Sequence, residues 1–217
     1  LGLPSQITVE TAYAVTNKRA MKERFALHGI PTVRYAYLSR GEDAKKLEGL
    51  HPPLVLKPLD SQGQRGVFLV HSREECLAFL EKTLSFSRED TALVEEYYPS
   101  DEITVSAWVQ EGEAHVLAVT DRQGYGDPRH IGVCVGHRFP SVHMGRFREV
   151  EELTRRCAGA FGVENGPFYL QMLVGERGVV LNELACRIGG AFEDVFLPYL
   201  TGFDILEAQL RCAMGGK

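Results

Sequence analysis

Gln171 and Glu183 have the types and separation to hold a divalent cation. They flank a short turn, Glu176-Arg177-Gly178, whose glycine suits the left-handed position of a three-residue hairpin loop. That register pairs Gly175 with Val179, Leu173 with Leu181, and Gln171 with Glu183. Opposed residues share a face, with Cβ atoms about 5 Å apart. An amide oxygen and a carboxylate at one spot, with room for phosphate oxygens, are what Mg²⁺ prefers. A hydrogen-bonded Gln–Glu pair on a solvated face fits the same spacing. Arg187 follows four residues after Glu183 and leads into Ile188-Gly189-Gly190. A permanent cation beside a metal carboxylate is placed to hold an anionic intermediate. A surface salt bridge is the plainer alternative.

Lys57 interrupts an apolar run, Leu54-Val55-Leu56-Lys57-Pro58. An unpaired buried lysine is expensive, so it must meet an anion, either a ligand or an internal carboxylate. The loop after it, Asp60-Ser61-Gln62-Gly63-Gln64-Arg65-Gly66, would let backbone N–H groups approach phosphate oxygens. It lacks the GxxxxGK[ST] spacing and would equally serve as a β-turn. Glu95-Glu96-Tyr97-Tyr98 ends a strand, where backbone groups could take an adenine edge. Glu102, seven residues after Glu95, could take ribose hydroxyls. Carboxylates turned to solvent are the other reading.

These residues need a scaffold, and the pattern supplies one. Thr16-Asn17 caps a helix from about Lys18 to His28, which Gly29 and Pro31 stop. A strand (Thr32–Leu38), a short helix (Glu42–Leu47) and strands at Leu54–Pro58 and Val67–Val70 follow. Ser72 caps a helix to about Leu84, with Glu75 completing a capping box. After a polar connector, 85–90, comes a strand at 92–98. A hairpin, Ile103–Gln110 with His115–Asp121, turns at Glu111-Gly112-Glu113. Residues 122–145 read as irregular. A helix at Phe147–Phe161, a hairpin at Phe168–Val174 and Val179–Leu184, and a helix at Phe203–Met214 complete the chain. This order predicts an α+β protein of two lobes, parting near residues 90–95.

Composition narrows the function. With 24 basic and 29 acidic residues among 217, the net charge is −5. No basic footprint is available for general nucleic-acid binding. Apolar residues at 44% and charged ones at 24% describe a globular chain. No apolar run nears the roughly 20 residues of a membrane span, and no secretory leader is visible. The five cysteines are odd in number and lack metal-ligand spacing, so they read as reduced thiols of a cytoplasmic protein. The seven histidines form no HxH or HExxH pair, so zinc is not expected. The Leu1-Gly2-Leu3-Pro4 connector and the Gly215-Gly216-Lys217 end read as cuts from a longer chain.

The order Lys18, Lys57 with its glycine loop, Glu95 with Glu102, then Gln171, Glu183 and Arg187 resembles the ATP-grasp superfamily. The matching segments run from Thr16-Asn17-Lys18-Arg19-Ala20-Met21-Lys22 through Gly29-Ile30-Pro31, Val55–Pro58 and Val94–Tyr98 to Asn182–Gly190. Within the superfamily the chain looks most like carboxylate–amine ligases, the branch of amino-acid ligases and, further off, carbamoyl phosphate synthetase and biotin carboxylase. The resemblance implies an ATP-grasp fold, two α+β lobes sandwiching the nucleotide. Residues 1–28 would be a connector and opening helix, 29–94 the lid lobe and 95–217 the catalytic lobe.

The activity implied is ATP-dependent joining of a carboxylate to an amine through an acyl phosphate. A bicarbonate- or carbamate-activating enzyme and a non-catalytic Mg-ATP-binding module are the alternatives. Lys18 and Lys57 would hold ATP phosphates, and Ser61, Gln62, Gly63 and Gly66 would close over them. Glu95, with Glu96 and the backbone near Tyr97 and Tyr98, would take adenine, and Glu102 the ribose. Gln171 and Glu183 would bind Mg²⁺ (or Mn²⁺), and Arg187 would stabilise the transferring phosphoryl group. Arg122 and His130, in the irregular stretch, would contact the substrate. The family usually carries Asn two residues after the metal glutamate, where this chain has Ala185, so a second metal site is open. The resemblance also implies small-molecule carboxylate and amine substrates, no nucleic acid or membrane partner, and flanking domains at both ends, with a homodimer as one assembly open to it.

Overall fold

In the computed structural model, which describes residues 5–126 and 131–216, two antiparallel sheets face each other across a cleft. Two helices come first. α1 (Val9–Thr16) is capped by the Thr8 hydroxyl, which accepts from Thr11 N–H. α2 (Lys18–Leu27) is capped by Asn17, whose side chain accepts from the N–H groups of Arg19 and Ala20. Asn17 is extended, so it breaks what would otherwise be one helix. α1 is an addition to the expected connector and opening helix of residues 1–28, in which the sequence pattern predicts a helix only from about Lys18.

The smaller sheet contains β1 (Tyr35–Ser39), β2 (Leu54–Pro58), β3 (Phe68–Val70) and β4 (Thr91–Glu96), in the order β1-β4-β2-β3. α3 (Arg73–Leu84) covers one face. Ser72 caps it as expected, but Glu75 reaches back to His71 N–H rather than to the cap itself. Strand alternation then sorts the side chains. Leu54, Leu56, Val94 and Ala92 enter the core under α3. Val55, Lys57 and Glu95 must therefore point the other way, into the cleft.

The larger sheet contains β5 (Asp101–Gln110), β6 (Glu113–Gly124), β7 (Cys134–Arg138), β8 (Gly166–Gly175) and β9 (Gly178–Ala185), in the order β7-β6-β5-β8-β9. α4 (Phe147–Phe161) joins α1 and α2 over one face, burying Met21, Phe25, Val105, Leu153, Phe161, Phe168 and Leu181 together. At one end of the other face, α5 (Glu193–Thr201) and α6 (Ile205–Ala213) pack Leu197 and Ile205 against Trp108 and Ala118.

Four further expectations need correction. The stretch at 122–145 is not wholly irregular, because β6 runs on to Gly124 and β7 returns beside it. β7 is only half buried, so it carries no clean apolar alternation. α5 was missed because Pro198 lies inside it. The crossing between sheets falls at 97–100, since β4 stays in the smaller sheet through Glu96. A lobe boundary at 94/95 would cut that strand.

The fourth correction concerns the metal hairpin. Its turn has two residues, Glu176 and Arg177, and Gly175 faces Gly178. That register alone would set Gln171 against Asn182. A β-bulge between Gln171 and Met172 shifts the pairing by one residue, so Gln171 faces Glu183 after all. The expected pair forms through a different turn and an unexpected bulge.

Candidate functional site

Register across the larger sheet builds one wall of the cleft. Thr120, Thr104, Gln171 and Glu183 form one row across four strands, and His137, Arg122, Glu102 and Leu173 form the next. Lys57 and Glu95 face them from the smaller sheet. The cleft between has a volume of about 1130 Å³. It is lined by Lys18, Lys57, Ser61, Gln62, Gly63, Glu95, Glu102, Arg122, Gln171, Glu183 and Arg187, and by the apolar Val55, Leu69, Leu173 and Leu184.

Lys57 meets two partners. Its ammonium is 2.5 Å from Glu95 Oε2 and donates to Asn182 Oδ1 at 3.1 Å. The second contact crosses from the smaller sheet to β9. Glu95 is buried between Lys57 and Lys22, whose ammonium is 2.5 Å from Oε1. Burial would raise the Glu95 carboxyl, but the two lysines outweigh it and hold the group well below the usual carboxylate range. Burial also opposes the Lys57 charge, yet Glu95, with Glu183 and Glu102 behind it, holds Lys57 above its ordinary value. Lys18 donates to the Ser61 carbonyl at 2.7 Å and so tethers the glycine loop. Burial pulls Lys18 below the usual lysine value, with Glu183 opposing and Lys57 assisting.

The glycine loop divides. Ser61, Gln62 and Gly63 line the cleft, but Gly66 does not. A Cβ at Gly66 would lie 2.8 Å from Phe86 and 3.0 Å from Pro58, so packing explains that glycine. The Gln64 side chain reaches over to Gly132, where a Cβ would lie 2.8 Å from it.

On the strand leaving the smaller sheet, the Glu96 carboxylate turns away to His51, at 2.9 Å from Nδ1. The Tyr97 N–H donates to Pro53 O. The Tyr98 hydroxyl donates to Gly178 O at 3.0 Å and accepts from Arg177 N–H at 2.9 Å, which pins the β8–β9 turn. Glu95, expected to take adenine, has its carboxylate occupied by lysines.

Glu102 and Arg122 form a cross-strand ion pair at 3.0 Å. Burial pushes the Glu102 carboxyl above its ordinary value, against the pull of Arg122. Arg122 also donates to the Tyr169 hydroxyl at 2.9 Å. The expected substrate role of Arg122 and the ribose role of Glu102 thus fall on groups already partnered. Arg187 is exposed, with its guanidinium 5.2 Å from the Tyr169 ring centre. His130 lies outside the described residues.

An ion fits the Gln171–Glu183 pair. Gln171 Oε1 is buried with no hydrogen-bond partner, while its amide donates to the Tyr169 hydroxyl at 3.3 Å. An orphaned amide oxygen opposite a carboxylate is a hard-oxygen donor set. Among the described residues no group of three or more His, Cys, Asp or Glu gathers, so phosphate oxygens or water would complete the shell.

Sequence reasoning missed Lys22, Asn182 and Tyr169. Lys22 left a trace, since it lies between Met21 and Phe25 on the buried side of α2. Asn182 left none, because its position follows from the bulge. Tyr169 is the junction of the cleft, touching Arg122, Gln171 and Arg187.

The ATP-grasp domain profile matches residues 50–194. An L-arginine-specific L-amino acid ligase of Bacillus subtilis is 28% identical over 213 residues, covering 94% of this chain and 51% of the relative. A phosphoribosylamine–glycine ligase of Chlorobaculum tepidum is 31% identical over 232 residues, covering 96% of this chain and 53% of the relative. The chain thus spans about half the length of these relatives. A biotin carboxylase from Campylobacter jejuni shares the fold, with a TM-score of 0.81 at 18% identity, over 99% of this chain and 49% of that one.

Proposed function

Since the chain belongs to the ATP-grasp domain family, we propose that it forms the nucleotide-binding and phosphoryl-transfer core of an ATP-dependent carboxylate–amine ligase. One observation carries this reading. Lys18 and Lys57 from one side, and Glu183 with the orphaned Gln171 oxygen from the other, converge on a single cleft. Two cations opposite an oxygen pair suit a polyphosphate bridged to a divalent ion.

Each residue then has a task. The ammonium groups of Lys18 and Lys57 bind phosphate oxygens. The loop at Ser61–Gly63 covers them and excludes water. The apolar Val55, Leu69, Leu173 and Leu184 flank adenine, and the backbone of Glu96–Tyr98 edges it. Glu95 serves as counter-ion to the lysines, and Glu102 with Arg122 borders the ribose and acceptor side. Gln171 and Glu183 would hold Mg²⁺, which would supply charge neutralisation on the phosphates.

A carboxylate oxygen of the substrate attacks the γ-phosphorus, and the bond to the β,γ-bridging oxygen breaks, releasing ADP. Arg187 balances the negative charge of the transferring group. An amine attacks the acyl carbon, phosphate leaves, and the amine proton passes to solvent. Positioning and charge carry most of the acceleration.

The test has two steps. Mg-ADP should raise the melting temperature, and ADP with EDTA should raise it less. ADP release should then appear with a carboxylate and an amine present together. Nucleotide binding without release for any acceptor pair would instead mark a binding module. No stabilisation by Mg-ADP would end the reading.

A further inference from the structure

The proposed phosphate site leaves one charged group without a task. Lys22 has a side chain only 2% exposed. Its ammonium lies 2.5 Å from Glu95 and 2.5 Å from the Thr32 hydroxyl, and it sits 5.5 and 5.6 Å from the ring centres of Phe25 and Tyr35. The Thr32 hydroxyl donates to Leu181 O at 2.7 Å, so it is fixed as an acceptor for Lys22.

We infer that Lys22 is a charge-balancing residue: by occupying one oxygen of Glu95, it leaves Lys57 a net cation toward the phosphates of a nucleotide. This rests on the functional reading above. Without Lys22, the Lys57–Glu95 pair at 2.5 Å would be neutral overall. An incoming phosphate would then meet a carboxylate as close as the ammonium. With Lys22, two cations share one anion, and the cluster keeps one positive charge on the wall of the cleft. Stability alone does not account for the arrangement. Beside Glu95 and Thr32 the neighbours of Lys22 are aromatic rings, and replacing the buried pair by packed hydrophobic side chains would avoid the desolvation of both charges.

The test measures ADP and adenosine binding to the full chain by calorimetry. Adenosine has no phosphate, so it reports the pocket without the charge. Lys22→Met should weaken ADP about tenfold or more while moving adenosine by less than about twofold. The double variant Lys22→Met/Glu95→Gln removes one charge of each sign and should restore ADP affinity to within a few-fold of the parent. Equal weakening of ADP and adenosine, or an unrestored double variant, would make Lys22 a structural residue and overturn the inference. An unchanged ADP affinity in Lys22→Met would do the same. If Lys22→Met does not fold, Glu95→Gln alone decides: ADP affinity kept or improved supports the inference, and weakened ADP with unchanged adenosine overturns it. A parent chain that binds neither ligand removes the functional reading and this inference with it.

Discussion

Glu95 meets two ammonium groups inside a largely apolar wall, so its ionisation is tied to folding. Its carboxyl is held below the ordinary value, which makes the linkage sign definite. The contribution is complete above about pH 4.5 and falls as the pH drops from there toward about 2, the value held in the folded chain. Burial holds Lys22 below its ordinary value, so its charge costs stability, and that cost is lifted as the pH rises from its folded value to the ordinary lysine value. The urea midpoint of the parent chain minus that of Glu95→Gln should therefore shrink as the pH is lowered from 5 to 3. A difference that stays flat over that window rejects the paired-carboxylate picture. Function should separate from folding at the two ends of the cleft. Lys57→Met leaves Glu95 still paired with Lys22, so the chain should melt near the parent temperature while ADP affinity drops at least about tenfold. Glu183→Ala should abolish the difference between Mg-ADP and ADP with EDTA, and with it turnover. An unimpaired Glu183→Ala chain would remove the metal assignment.

Elements aim these groups, and small details of the strands set the aim. Alternation in β2 sends Leu54 and Leu56 to the core and Lys57 to the cleft. A one-residue slip would bury the ammonium under α3. In the β8–β9 hairpin, the bulge rather than the turn brings Glu183 opposite Gln171, and it leaves Asn182 to meet Lys57. Gly66 shows how closely the loop after β2 is seated. Its φ of +73° is a conformation that side chains resist, and its Cβ would press on Phe86 and Pro58. Gly66→Ala should cost about 1–3 kcal/mol in urea unfolding, from strain and overpacking together. Because Gly66 stands outside the cleft, its ADP affinity should change less than that of Lys57→Met. A loss below about 0.5 kcal/mol would show that the loop relaxes freely.

At the scale of the molecule, the two sheets have separate cores on either side of the cleft. The hydrogen bond from Lys57 to Asn182 crosses between them. A ligand that spans both sheets should therefore stabilise them jointly. Mg-ADP at about 100 times its Kd should add roughly 2.7 kcal/mol, raising the melting temperature by about 5–10 °C for a chain of this size. The rise should appear as one transition. Two transitions, with only one of them shifted, would place the nucleotide on a single sheet. No helix among the described residues is long and apolar enough to cross a membrane.

The chain's own pattern was enough for the α+β class, the two-lobe division, most strands and the family, because periodicity, caps and residue order act over short stretches. It was also enough to bring Lys57, Gln171 and Glu183 forward, since a lysine in an apolar run and a carboxylate beside a hairpin are local anomalies. What the tertiary structure decided is who pairs with whom. Glu95 reads as an exposed adenine contact until α2 packs beneath it and supplies Lys22. Glu102 and Arg122 are twenty residues apart in the chain and become neighbours only when β5 and β6 align. Asn182 depends on a bulge that no local signal marks. Charge pairing falls steeply with distance, and those distances exist only once the sheets have closed on each other.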